Sequence, residues 1–237
     1  MTTSTQGQAE QGDFLREFFK RWPGFYYLIV DIFGPLYFGG LNPKGFIRKY
    51  AREGVRLNLG SGPRVIDTSF VNIDGEAYRG VDQVADITHL PHEDNSVAMT
   101  MCDNVLEHVR EPRAAVAEMY RVLETGGVAY IAAPFLYPFH SSPSDYQRWT
   151  KRGLLELCSA FEVVEIGVRS GPFSVLSTYL IYLFASLLSF GSRKLHKIVT
   201  NMLIFVFFPI KYLDIIGNHL PFASDIASDF YIVLRKN

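Results

Sequence analysis

With 237 residues, the chain is long enough for one α/β domain with a full core plus an embellishment. Its formal charge of −1, from 23 basic and 24 acidic residues, advertises no basic face and argues against nucleic acid as a partner. The two cysteines, Cys102 and Cys158, lie in apolar segments at no metal-binding spacing and read as reduced core thiols in a cytosolic setting.

Residues 1–12 are polar and lack the basic-then-apolar pattern of a secretory signal, so a disordered tail is expected. Residues 13–54 read as an aromatic helical segment; Trp22 to Gly40 carries a single charge, Asp31. The most informative stretch follows. An apolar strand, Val55–Leu59, runs into Gly60-Ser61-Gly62, and a second, Phe70–Ile73, ends on Asp74. Glycines there permit positive φ and leave the main chain open to a ligand. A carboxylate at the end of the next strand can accept from both hydroxyls of a ribose. Together they describe a pocket for an adenosine-containing ligand, although a glycine pair alone is as often a tight turn. The dinucleotide fingerprint is incomplete, with Val65 in place of its last glycine, and only Pro63 to Phe70 separate the turn from strand 2. A crossover carrying a full helix needs roughly a dozen residues, so the phosphate-binding helix N-terminus is short or missing. That disfavours a pyrophosphate ligand.

Further strands read at Gln83–Ala85, Val97–Asp103, Val128–Ala133, Phe161–Val168 and Phe230–Leu234, mostly as the continuous apolar runs of a sheet covered on both faces. A helix is predicted from Pro112 to Glu124, opened by proline and stopped by Gly126-Gly127, and another from a Thr150 cap to about Ala160. Phe173 to Phe190 and Ile198 to Ile210 contain no charged residue, and Arg193, Lys194, His196 and Lys197 lie between them. The first run is borderline for a bilayer span of about 20 residues and the second is short.

The blocks VADITHLPHEDNSVAMTMCDNVLEHV (Val84 to Val109) and EMYRVLETGGVAYIAAP (Glu118 to Pro134) resemble the class I S-adenosylmethionine-dependent methyltransferases, in particular the methyltransferase type 11 group. The resemblance covers about residues 55–170 and returns at Ser228 to Lys236. It implies a Rossmann-like, doubly wound, mostly parallel seven-stranded sheet whose last strand is antiparallel, with an apolar helical insertion before that strand. The core would be residues 55–171 plus 229–237, and the insertion residues 172–228. With strand 6 parallel to its neighbours and strand 7 reversed, both ends of the insertion meet the carboxyl edge of the sheet, where open α/β sheets bind ligands. A helical hairpin lying on or re-entering a membrane surface, or serving as a lid, fits that placement.

The resemblance also implies roles at named positions. Gly60, Ser61 and Gly62 would line the methionine part of S-adenosylmethionine, and Asn58 stands where many relatives carry an acid. Asp74 would take the ribose, Asp86 and Ile87 the adenine, and Asn104 the methionine end. A solvated turn for Asp74 and a capping role for Asp86 are the plain alternatives. His108 is a candidate contact to donor or acceptor. His140 lies in PFLYPFHSSPSDYQRWT (Pro134 to Thr150), a loop resembling one found in family members that act near polysaccharide or glycolipid pathways. An imidazole titrates near neutrality, which makes His140 a candidate general base. Asp145 and Arg148 read as an ion pair fixing that loop. No metal cluster stands out, since His89 and His92 flank Leu90-Pro91 without further ligands nearby.

The leading reading is methyl transfer to a hydroxyl of a lipophilic or lipid-linked acceptor, such as a glycolipid, prenyl-linked sugar or quinone precursor. It would act in the cytoplasm, peripherally on the inner face of the membrane. The alternatives are a non-catalytic donor-binding or membrane-associated scaffold, and a soluble enzyme that uses the insertion as an oligomer interface.

Overall fold

The structure is a computed structural model that describes residues 28–29, 31–140 and 144–237. The expected tail at 1–12 and the segment through residue 27 lie outside the described residues.

In chain order the elements are α1 (Pro43–Tyr50), β1 (Arg56–Leu59), β2 (Val71–Asp74), β3 (Gln83–Val84), β4 (Val97–Asp103), α2 (Pro112–Val122), β5 (Leu123–Pro134) and α3 (Lys151–Leu157). Then come β6 (Glu162–Ser170), α4 (Pro172–Leu188), α5 (Arg193–Phe207), α6 (Asp214–Gly217) and β7 (Asp229–Arg235). One seven-stranded sheet has the order β3-β2-β1-β4-β5-β7-β6. β1 to β5 pair in parallel, and β7 is antiparallel to both its neighbours, β5 and β6.

Alternate residues of the central strands feed two cores. Ala129, Ile131 and Ala133 of β5, with Phe230, Ile232 and Leu234 of β7, face the layer built by α2 and α3. Val128, Tyr130 and Ala132, with Tyr231 and Val233, face the other side. No helix lies between β1 and β2: residues 63–70 are turns and bends, as the short crossover predicts. The second face is covered instead by α1. Asn42 caps it by accepting from the Gly45 amide (2.9 Å), Pro43 opens it, and Phe46 packs on Tyr130 at 5.3 Å between ring centroids.

Two expectations need correction. The helix predicted to reach Glu124 ends at Val122, because Leu123 already pairs with Val97 on β4. Residues 124–127 then bulge out, with Gly126 at φ 79°, before the ladder resumes at Val128 opposite Met99. β6 does run in the direction of β1–β5, but it has no parallel neighbour; its partner is β7 alone. Its carboxyl end nonetheless meets the start of β7, Ser170 opposite Asp229, and Pro134 of β5 lies opposite the same Asp229. The intervening helices therefore leave from and return to the carboxyl edge.

That attachment is fixed by one buried carboxylate. No side chain of its own caps α4. Asp214, from α6, accepts the amides of Gly171 (3.2 Å), Phe173 (2.9 Å) and Ser174 (2.8 Å), the donors a helix N-terminus leaves unpaired. The hairpin itself is inverted. The buried positions of α4 are small or polar except Ile181 (Ser174, Ser177, Thr178 and Ala185), while Leu183, Leu187 and Leu188 face outward. α5 buries no residue and exposes Ile198, Met202, Phe205 and Val206.

Candidate active site

Gly60 and Gly62, in the turn after β1, both take left-handed backbone, at φ 66° and 54°. The two serve different ends. A Cβ at Gly60 would overlap the methyls of Val105, so this glycine lets two loops touch; a Cβ at Gly62 would meet nothing within 4 Å. Gly62 opens onto a cavity of about 1080 Å³. The turn is held from β2. Asp74 accepts the Gly62 amide on Oδ2 (2.8 Å) and the Glu76 amide on Oδ1 (3.0 Å). Each carboxylate oxygen has a second lone pair, so this bracing leaves acceptors for a ribose.

Gly60, Gly62, Asp74, Asp86, Ile87, Asn104 and His108 all line this cavity. Asp86 Oδ1 accepts both the amide and the hydroxyl of Thr88, each at 2.8 Å, and these bonds, the amide's first, hold its carboxyl below the ordinary value. It is thus a turn brace that also borders the ligand space. Asn104 stands at φ 52°, its amide donating to Ala132 (3.0 Å), and its side-chain Oδ1 is buried without a partner. The open face of Gly62 and the unpaired Asn104 oxygen fit an adenosine bearing an amino-acid tail, which offers hydroxyl and ammonium donors.

Two expected cofactor residues are not brought to the cavity. Asn58 is 2% exposed and its Nδ2 donates to Asn72 Oδ1 on β2 (2.9 Å). A polar side chain buried between strands requires such a partner, and Asn72 supplies it. Ser61 spends its amide on the Ile73 carbonyl (3.0 Å) and its hydroxyl on the Gly62 carbonyl (3.2 Å), shaping the turn rather than lining it. A second cavity, about 680 Å³, lies between α1 and α6 and holds none of the expected residues.

Beside the donor cavity, a short 3-10 turn over Leu106–His108 and the loop after β5 bring His108 and His140 together, edge to face at 5.0 Å. The loop is fixed as its sequence suggested. Arg148 grips Asp145 through both terminal nitrogens, which holds the Asp145 carboxyl down to about 2, and Asp145 Oδ2 accepts the His140 amide (2.8 Å). Burial pushes the His140 imidazole below its ordinary value. Between the imidazoles lies a residue that sequence reasoning missed, Glu107. It is fully buried, neither carboxylate oxygen has a hydrogen-bond partner, and burial pushes its carboxyl up to about 8. The available signal was a charged residue inside the apolar block Asn104 to Val109.

The carboxyl edge is polar beneath this loop. Arg169, 4% exposed, pairs with Asp103 through both terminal nitrogens, and Asp229 lies buried nearby. Burial pushes the Asp229 carboxyl up to about 6 from an ordinary 3.8. Between those values Asp229 holds a proton in the folded chain that it has lost in the unfolded one, so its contribution to stability falls as pH rises from about 4 and levels off above about 6. Denaturant midpoints measured from pH 4 to 7 should show a loss that Asp229→Asn reduces by on the order of 2 kcal/mol, while the part due to the raised Glu107 carboxyl persists.

The chain is similar in sequence and in fold to known proteins. A family model described as a methyltransferase domain, of the type 11 methyltransferases, matches residues 65–131. An uncharacterized chloroplastic methyltransferase of Arabidopsis thaliana is 35% identical over 109 residues, 39% of this chain; the match spans 30% of the relative's length. Among solved structures, the (4+2) cyclase SpnF overlays with a TM-score of 0.51 at 17% identity, over 81% of this chain and 78% of its own. Phosphoethanolamine N-methyltransferase 2 of Haemonchus contortus, crystallised with S-adenosyl-L-methionine, also scores 0.51, at 15% identity, over 95% of this chain and 60% of its own. At such identities these two overlays speak for the fold alone.

Proposed function

We propose that the chain is a class I S-adenosylmethionine-dependent methyltransferase of the type 11 group and that it transfers a methyl group to a hydroxyl of a lipophilic or lipid-linked acceptor at a membrane surface. Bound in the cavity, S-adenosylmethionine supplies an electrophilic methyl carbon on its sulfonium. Asp74 and the Gly62 turn hold the nucleoside, Asp86 and Ile87 border the base, and Asn104 faces the amino-acid end. Fixing donor and acceptor in line is what the scaffold contributes; such positioning is worth several kcal/mol of barrier.

Two features favour the acceptor class. Buried oxygens without hydrogen-bond partners gather where β6 and β7 meet at the carboxyl edge: Ser170 Oγ, Ser228 Oγ and Asp229 Oδ2. A hydroxyl-rich head group brings the donors they lack. The observation that carries the reading is that the inverted hairpin α4–α5 starts at this same edge, two residues after β6. Arg193–Gly217 is long and apolar enough to cross a membrane by length and composition, with 11% of its apolar window buried. Phe190 and Phe222, both in left-handed backbone, stand 88% and 78% exposed at its turns. The attached ends favour an interfacial hairpin over a crossing, with Arg193 and Lys194 suited to anionic head groups.

Isotopically labelled S-adenosylmethionine, incubated with the protein and lipid or sugar-lipid extracts, should yield a labelled lipid by mass spectrometry. The protein should also float with vesicles of phosphatidylcholine and phosphatidylglycerol, and a Leu187→Ser, Phe190→Ser, Met202→Ser variant should not. Donor binding without any labelled lipid would point to a scaffold, and failure of the intact chain to float would remove the membrane from the reading.

A further inference from the structure

We propose that Glu107, His108 and His140 form a binding site for one divalent transition-metal cation of the zinc class. The three side chains stand 1 and 32 residues apart along the chain, and the fold gathers their candidate ligand atoms within 4.8 Å of one another. His108 Nε2 and His140 Nε2 each lie 3.8 Å from Glu107 Oε1. Ligand atoms around a tetrahedral cation with bonds of about 2.0–2.1 Å lie roughly 3.4 Å apart. Shifts of a few tenths of an ångström would close the nearer pairs.

The far side of each ring decides what the near side offers. His108 Nδ1 contacts the Ser144 carbonyl. His140 Nδ1 faces the Pro138 carbonyl (3.3 Å) and Asp145 Oδ2 (3.4 Å). Arg148 Nη2 also approaches it (3.4 Å), but that guanidinium is committed to Asp145 and to the Tyr137 and Pro138 carbonyls. Acceptors at Nδ1 place the ring proton there and leave Nε2 with a bare lone pair, the arrangement that metal-binding histidines share. Two such nitrogens and a carboxylate then face one another, and Glu107, fully buried, has no partner on either oxygen. A single proton could bridge one nitrogen to the carboxylate; a cation satisfies all three groups. Two imidazoles and one carboxylate are a ligand set for zinc, manganese, iron or nickel rather than magnesium or calcium. The imidazoles are 17% and 31% exposed, so an ion can enter, and His108 also lines the donor cavity, which places the cation beside it.

The inference rests on these three side chains and not on the methyl-transfer reading, so either can fail without the other. It does displace His140 as a general base, since a coordinated Nε2 takes no proton. The test is equilibrium dialysis of chelator-stripped full-length protein against zinc, read by elemental analysis, with cobalt titration followed by visible absorption. About one equivalent should bind, with the bands of a tetrahedral or five-coordinate cobalt site. Glu107→Gln and His140→Gln should each weaken binding at least a hundredfold, whereas Asp74→Asn should leave it unchanged. Should Glu107→Gln fail to fold, the partly exposed His140→Gln decides. Binding below one tenth of an equivalent, or binding retained in the folded variants, overturns the site.

Discussion

Replacing Asp74 with alanine is expected to weaken binding of S-adenosylmethionine and of its demethylated product at least about a hundredfold, or ~3 kcal/mol. Two losses combine. The variant removes the acceptor for the ribose, and it releases the Gly62 and Glu76 amides that Asp74 braces. Hydrogen bonds to an ionised group contribute about 1.5–3 kcal/mol each, and the turn must be re-formed before a ligand can use it. Calorimetric titration measures the change directly. Asp74→Asn keeps one carbonyl acceptor and should bind between the two. Equal affinity of Asp74→Ala and the parent would mean that the cavity does not take the nucleoside at β2.

The second large effect lies across the sheet. Arg169→Met should destabilise the fold by about 3–5 kcal/mol, because it strands charge in the interior. Arg169 holds Asp103 through both terminal nitrogens, neighbours buried Asp229, and stacks its guanidinium over Phe38 at 4.5 Å from the ring centroid. For a chain of this size that is a fall in melting temperature of roughly 10 °C. Arg169→Lys should recover only part, since an ammonium cannot make the two-pronged contact. Adding Asp103→Asn to Arg169→Met should restore some stability by removing the stranded carboxylate, a coupling that a double-mutant cycle quantifies. A parent-like melting curve for Arg169→Met would show that the charge cluster is solvated.

Much of this was legible in the residues. The apolar runs of β1, β2, β4, β5 and β7 are continuous because both faces of those strands are covered, and continuous runs survive without any alignment. The missing helix after β1 followed from chain length alone, and the Asp145–Arg148 pair from spacing. What failed depended on distant partners. The end of α2 is set by Val97 reaching Leu123, a contact that no local pattern around Gly126-Gly127 encodes. Asn58 looked like a ligand contact because its place on β1 is right, but Asn72 on the neighbouring strand claims its amide. Glu107 was hidden for the opposite reason: a lone acid in an apolar block looks solvated until the Pro134–Thr150 loop folds over it. The carboxyl-edge placement of the hairpin held although the pairing of β6 did not, because it required only the direction of that strand.

The contact between Gly60 and Val105 has a consequence for how the two halves of the site communicate. Val105 immediately precedes the turn that carries Glu107 and His108, and only the absence of a side chain at position 60 lets the two loops seat against each other. The nucleoside grip and the imidazole pair are thereby geared through a single van der Waals surface. A movement of a few tenths of an ångström in the glycine turn would be passed to the histidines without any relay of polar groups between them.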